Sequence, residues 1–366
     1  MAAPAPVTTA PAAPTPVNDL TVGQLPSWFP WAALAVSMGL SFAIFAIFNL
    51  GGELRDLNVA GALFIGFIVF AVIVIVFSSI VENKRRAADR VATILVSLAF
   101  LIALLPLISL LFTVVVDGIQ RFDPTFFSNS MRNVVGEGGG AVHAIWGTLL
   151  ITLAATVIAV PVGLLSSVFV VEDGRGRLAN ATTFLVAVRA GIPSIVAGLF
   201  IVALFALIIG PGKYMGIMGA LALTVLMIPV VVRTSEEMLR LVPNELREAA
   251  YALGVPKWLT ILKIVLPTSI AGITTGIMLA ISRVIGETAP LLLTAGFTAS
   301  LNTNLFDQPM MTLPVYVYSQ FQNPGTNIDE ALGRAWAGAL TLIVIVMVLN
   351  LVARFIAKKF APKFGR

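Results

Sequence analysis

The chain has 366 residues, of which 58% are hydrophobic and only 11% charged, and its mean hydropathy is +0.98. Soluble domains carry about a quarter charged residues, so this composition excludes a soluble enzyme and predicts an all-α, polytopic membrane protein. The net charge of +5 needs no nucleic acid to explain it, because the positive residues gather in loops that membrane insertion keeps inside. With no cysteine, neither a disulfide framework nor thiolate chemistry is available. The single histidine, His143, stands without a cluster of further ligands. It reads as a residue of the membrane interface, and no metal site is expected.

Residues 1–28 are rich in Ala, Pro and Thr and contain no Lys or Arg. Such a segment buries too little apolar surface to fold, so a disordered tail is expected. It lacks the basic start of a signal peptide. Eight apolar stretches follow, at about 31–50, 58–81, 92–116, 142–171, 184–209, 217–232, 269–295 and 335–356. Each is long enough to cross roughly 30 Å of hydrocarbon, the sixth only just. Gly216, Gly219 and Pro229 suit that short span to the inside of a bundle.

The loop 82–90 holds Lys84, Arg85, Arg86 and Arg90, and placing it in the cytoplasm fixes the rest. The loop 172–183, the polar break 233–268 and the tail with Arg354, Lys358, Lys359, Lys363 and Arg366 then also lie inside. The outer loops carry only Arg55, Arg121, Arg132, Lys213 and Arg334. Both ends of the chain are therefore expected in the cytoplasm. The same loop 82–90 suggests a boundary between a two-helix hairpin, 29–90, and a six-span core, 91–366. The Gly-rich run 136–140 reads as a flexible external linker. No phosphate-binding Gly-x4-Gly-Lys-[Ser/Thr] loop occurs, so no nucleotide site is recognisable.

Three charges within apolar spans stand out. Ionised groups at that depth cost about 2.5–3.5 kcal/mol on insertion scales and tend to have a partner or a polar path. Arg283 and Glu287 are four residues apart in the seventh span, a spacing that puts them on one face of a helix. Gly286 between them would allow close backbone approach, and Pro290 would bend the helix. A guanidinium suits a tetrahedral oxyanion because its donors match two oxygens at once. From the pair alone, an ion pair stapling two helices is an equal reading. Arg189 lies near the start of the fifth span, where snorkelling to the interface accounts for it. Pro193 and Gly198 downstream of it mark an irregular or closely packed helix.

The polar break 233–268 contains Glu248-Ala249-Ala250-Tyr251-Ala252-Leu253-Gly254, then Ile264 and Leu266-Pro267. Asn244 is placed to cap a short helix from Glu245. Gly254 suits a left-handed cap that ends it, and Pro256 blocks continuation. A second amphipathic helix is expected over 256–263, with Trp258, Lys257 and Lys263 at the membrane interface.

Glu-Ala-Ala, a Gly six residues after the Glu, Ile ten further on and Leu-Pro resemble the EAA loop of ABC importer permeases. Arg283-Val-Ile-Gly-Glu287-Thr-Ala-Pro-Leu-Leu and Gly191-Ile-Pro-Ser-Ile-Val-Ala-Gly-Leu resemble two segments of permeases from phosphate ABC importers. The likeness runs over about 92–356. It implies a subunit that passes inorganic phosphate without covalent chemistry or a cofactor of its own. ATP and Mg would be bound by a separate ATPase dimer. A second permease and an extracytoplasmic phosphate-binding protein would complete the assembly in a bacterial inner membrane, among membrane lipid.

The resemblance also implies roles for individual residues. Arg283, Glu287, Thr288, Arg189 and Ser194 would belong to the substrate pathway. Glu248, Ala249, Ala250, Gly254, Leu266 and Pro267 would belong to the surface coupled to the ATPase. Permeases for molybdate or sulfate remain an alternative. A stand-alone ion-coupled carrier would use the Arg283–Glu287 pair as a proton relay; an inverted repeat would favour it, none is evident, and the EAA loop argues against it.

Overall fold

A computed structural model of the chain describes residues 25–48, 59–82, 84–174, 176–177 and 193–360. The expected tail lies largely outside them, as do Arg189 and the first nine residues of the fifth span. The chain divides into two compact units, residues 1–109 and 110–366. Every regular element among the described residues is helical.

In the first unit, α1 (Phe29–Phe48) packs against α2 (Val59–Val81). Ser41 sits buried in the contact and donates to the Ala62 carbonyl at 2.6 Å, which satisfies a hydroxyl that lipid could not. The third helix, α3 (Lys84–Ile119), crosses into the second unit. It starts at Lys84, so Arg85, Arg86 and Arg90 lie on its first turns and not in the loop expected over 82–90.

Glu82 explains the tight corner. Its carboxylate accepts Arg90 Nε and Nη2, both at 2.7 Å, and the Leu25 amide at 3.0 Å. The bidentate guanidinium holds the Glu82 carboxyl down at about 2, against an opposing push from burial. The Arg90 guanidinium thus ties the start of α3 to the end of α2.

The second unit is built around α5 (Val142–Val168) and α7 (Gly216–Arg240). On α5, Gly147, Ile151, Ala155, Ala159 and Gly163 recur every fourth residue, and all are buried. The Gly and Ala positions of this stripe let the two backbones approach, which favours helix association in lipid. From α7 it receives Ala220, Leu223, Met227 and Val231. The short sixth span is accordingly the most enclosed helix of the bundle, and it runs on through Pro229 to Arg240.

Around this pair stand α6 (Ser194–Ile209), α10 (Leu266–Val284) and α13 (Ile328–Phe360), with the short α11 (Ala289–Thr294) and α12 (Leu313–Gln322) packed between them. The one-turn α4 (Pro124–Ser128) is capped by Asp123 Oδ1, which accepts the Phe126 amide at 2.7 Å. Among the described residues, seven helices are long and apolar enough to cross a membrane, and α6 adds a shorter apolar helix of 16 residues. Each expected stretch overlaps one of these helices, but only 193–209 of the fifth is described and 269–295 is interrupted. Outward side chains such as Leu153, Val157 and Leu165 are exposed, as a lipid-facing surface requires.

The Gly-rich run is not a free linker. Arg334, 3% exposed, donates from Nη1 to the Gly136 carbonyl at 2.9 Å and to the Gly138 carbonyl at 3.0 Å. The glycines supply the turns, and a buried guanidinium on α13 ties them down. That tie joins residues almost 200 positions apart and has no local sequence signal.

Candidate functional site

Two regions of the second unit carry the expected functional residues. The first is an interruption of the seventh span. Helix α10 ends at Val284, and a new helix, α11, starts at Ala289 with Pro290 in its first turn. The span expected to run unbroken over 269–295 is therefore two helices joined by Ile285–Thr288. Arg283 and Glu287 do not share a helix face, because Glu287 belongs to the connection. Among the described residues neither has an ion-pair partner, and the stapling pair expected between them does not form there. Arg283 is exposed, while Glu287 and Thr288 are half-buried. Next to Arg283, Ser282 Oγ lies 3.2 Å from Asn350 Oδ1 of α13.

Gly286 is not needed for close approach, since a Cβ there would meet only the Arg283 carbonyl at 3.9 Å. The close approach falls instead at Gly198, where a Cβ would come within 2.8 Å of the Pro290 backbone. This contact joins the two segments singled out in the sequence. Ser194 opens α6, half-buried, and Gly198 one turn later receives Pro290. Gly198 lies in the interior of an apolar helix. The break before Pro290 thus packs against an apolar helix, and non-helical backbone within a membrane is tolerated only if protein buries it or it lines a cavity. Thr288 lines a cavity of about 520 Å³ with Tyr318, Phe321 and Trp336.

The second region follows α7. Helix α8 (Asn244–Ala252) ends in a Schellman arrangement: the Gly254 amide donates to the Tyr251 carbonyl at 2.9 Å, and the Val255 amide to the Ala250 carbonyl at 3.1 Å. Gly254 has φ 75°, as its position in the motif requires. Ala250 is buried beneath the helix, while Glu248, Ala249, Tyr251 and Leu253 face outward. The outward set forms an exposed surface of small, acidic and apolar groups.

Asn244 does not cap α8. Pro243 takes the cap position, and Asn244 Oδ1 instead accepts from Arg247 at 3.3 Å. The second amphipathic helix is also not separate. After α9 (Lys257–Thr260) a π-helical turn over Ile261–Val265 runs directly into α10. Leu266 packs on a small apolar cluster with Leu239, Val242, Val265 and Ile273, and Pro267 is exposed in the first turn of α10.

Sequence reasoning missed the group that holds α8 in place. Arg247 Nε and Nη2 donate to Glu172 Oε1 at 3.1 and 3.0 Å, and these side chains are 12% and 5% exposed. The same guanidinium donates to the Val242 carbonyl at 2.7 Å and the Leu239 carbonyl at 3.1 Å, groups left open at the end of α7. Lys257 donates to the Glu172 carbonyl at 2.7 Å and pairs with Asp173. Glu172 and Asp173 sit on a π-helical turn, Phe169–Asp173, that extends α5. The spacing of Arg247 on a short polar helix was visible. Its partner, 75 residues away, was not.

The family model for "binding-protein-dependent transport system inner membrane component" matches residues 159–366. The chain is 46% identical over 284 residues to phosphate transport system permease protein PstA 1 of Mycobacterium tuberculosis, covering 75% of this chain and 90% of that protein. It is 40% identical over 276 residues to PstA of Yersinia pestis, covering 75% and 92%. Among solved structures it resembles an inward-facing form of the MetNI methionine ABC transporter, with a TM-score of 0.48 and 20% identity over 60% of this chain and 96% of that one. The chain belongs to the binding-protein-dependent transport permeases and, within them, to the PstA family of phosphate transport system permease proteins.

Proposed function

We propose that this subunit forms half of a transmembrane pathway that carries inorganic phosphate into a bacterial cell, driven by ATP hydrolysis in a separate subunit. The observation that carries the reading is the broken seventh span: Arg283, without an ion-pair partner among the described residues, stands beside a non-helical turn packed by Pro290 on Gly198. An unpaired guanidinium offers two parallel donors to a phosphate oxyanion. Glu287, close in sequence, balances its charge when the pathway is empty. Ser194 and Thr288 supply hydroxyls on the two segments that meet there. A PstC-like permease supplies the other half of the pathway. A PstB-like ATPase dimer docks on α8, and a PstS-like binding protein delivers phosphate to the outer face. The hairpin 29–90 is an addition to the six-span core. The proton-relay carrier loses support, because Arg283 and Glu287 form no ion pair.

Phosphate uptake into vesicles carrying the assembled complex tests the reading. Uptake should require both ATP and the binding protein, and uptake that persists without either would sink it.

The orientation has its own test. The chain lacks cysteine, so single cysteines at 125 and 244 report their sides cleanly. An impermeant thiol reagent should label position 125 in intact cells and position 244 only in inverted vesicles. Labelling of both from one side would refute the arrangement.

The coupling role of α8 predicts that Gly254→Asp and Glu248→Lys insert normally but lose stimulation of the ATPase by the loaded binding protein. At φ 75° a side chain costs about 1–2 kcal/mol in backbone strain, and no atom lies within 4 Å of the added Cβ. The fold should therefore survive while the docking surface changes. Wild-type stimulation in both variants would remove α8 from the coupling path.

A further inference from the structure

His143, the chain's only histidine, lies at the start of α5 and is 1% exposed. Its ring stands edge-on to Tyr316 of α12, with centroids 5.6 Å apart. Both ring nitrogens and the Tyr316 hydroxyl are buried without a hydrogen-bond partner among the described residues. Three orphaned polar atoms at one place call for an occupant, since buried polar groups are nearly always satisfied. All three belong to residues that line one cavity of about 300 Å³, together with Ser319, Gln320 and Thr298. A water takes roughly 30 Å³ of liquid, so a tetrahedral oxyanion and a few waters fit.

The lining is rich in donors. Gln320 Oε1 accepts Arg334 Nε at 2.8 Å. Arginine has no acceptor, so the oxygen must face it, which leaves the amide NH₂ for the cavity. Burial pushes the Tyr316 phenol up, so it keeps its proton and donates. Neutral His143 offers one donor and one acceptor, the pair that an oxyanion carrying its own proton requires. No carboxylate lines the space. Arg334 stands behind Gln320, and Glu330 pairs with Arg334 from the far side at 3.9 Å.

The geometry points to a second phosphate site, a cavity that takes hydrogen phosphate through His143, Tyr316, Ser319 and Gln320 and shares no lining residue with the Arg283 pathway. The inference rests on the phosphate reading above. In the proposed orientation the cavity lies on the outer side, where the binding protein releases its cargo. The site would hold phosphate at the entrance before it reaches the broken span. A phosphate group on a lipid headgroup has the same chemistry, and the comparison of micelles with nanodiscs below separates the two sources.

A lone histidine gives a direct test. Full-length protein labelled with ¹⁵N-histidine has one imidazole signal. Inorganic phosphate, titrated at constant ionic strength, should move that signal with saturation both in maltoside micelles and in phospholipid nanodiscs. Sodium chloride should not. Tyr316→Phe removes a hydroxyl that has no partner in the empty site, so folding should be unharmed. It should raise the half-saturating phosphate about tenfold, the effect of one lost hydrogen bond to a charged group. Gln320→Glu keeps the acceptor that holds Arg334 but puts a negative charge in the cavity. It should abolish the response while the His143 signal stays at its phosphate-free position.

The site is overturned by a signal that never responds, by an equal response to chloride, or by unchanged titrations in both variants. It is also overturned by a signal that shifts on transfer from maltoside to phospholipid and then ignores phosphate, which would assign the cavity to lipid. Phosphate uptake by the wild-type complex separates the two levels of failure. Intact uptake with a silent His143 discards this site alone, whereas absent uptake discards the phosphate reading and this site with it.

Discussion

Arg283→Gln should abolish phosphate uptake while the permease still assembles. The substituted side chain keeps hydrogen-bonding capacity but loses the charge and the planar fork that match two phosphate oxygens. Hydrogen bonds to charged groups contribute about 1.5–3 kcal/mol each, so losing a bidentate pair should slow uptake by a factor on the order of 100 or more. Assembly should be unaffected because Arg283 is exposed and has no ion-pair partner among the described residues. A structural staple would behave differently. Its loss would leave a buried, unpaired Glu287 and cost about 3–5 kcal/mol. Adding Glu287→Gln distinguishes the two. If the double variant regains transport, the pair is structural after all. If transport stays dead in a well-assembled complex, Arg283 meets the anion. Arg283→Lys should rescue only in part, since an ammonium supplies a point charge without bidentate geometry. Uptake near the wild-type rate in Arg283→Gln would end the hypothesis.

Arg247→Met should both destabilise the subunit and disconnect it from its ATPase. The guanidinium joins α8 to Glu172 at the end of α5 and satisfies two carbonyls at the end of α7. With both side chains this well buried, removing one leaves the other charge unpaired. The cost of breaking such a pair is about 3–5 kcal/mol, which should appear as a clear drop in thermal unfolding temperature of the purified complex. Stimulation of the ATPase by the loaded binding protein should fall with it, because a push on α8 would no longer reach α5. Glu172→Gln should be milder, as the amide oxygen still accepts from Arg247. The pair Arg247→Met with Glu172→Leu should recover much of the stability, since no charge is then stranded, but not the coupling. If Arg247→Met melts normally and its ATPase responds fully, the clasp has no mechanical role.

Much of this protein is written locally. Hydrophobic run length alone placed the crossings, because each span must satisfy its own backbone in lipid within about 20 residues. The end of α8 was equally legible: a left-handed cap depends on Gly254 and its immediate neighbours, and φ there is 75°. The close packing of α6 at Gly198 and the enclosed position of α7 could be read from their glycines and prolines.

What the sequence left open concerns which of several compatible partners a side chain meets. Gly286 and Pro290 allow a bent helix or a broken one. Packing of Pro290 into the space at Gly198 decided for the break, and with it separated Arg283 from Glu287. Asn244 was a sound cap by local rules, yet Pro243 took that position and Asn244 turned to Arg247. Lys84 to Arg90 read as a loop because their charge was visible. The Glu82 carboxylate that folds Arg90 back into a helical corner acts through bidentate geometry that charge alone does not specify. Arg334 on the Gly136 and Gly138 carbonyls, and Arg247 on Glu172, depend on residues brought together from far along the chain. The Gly254 cap and the apolar runs depend on energies that act within a few residues, and so the sequence alone determined them. The positions of these charges are fixed by contacts that exist only once the helices have packed, and so the tertiary structure decided them.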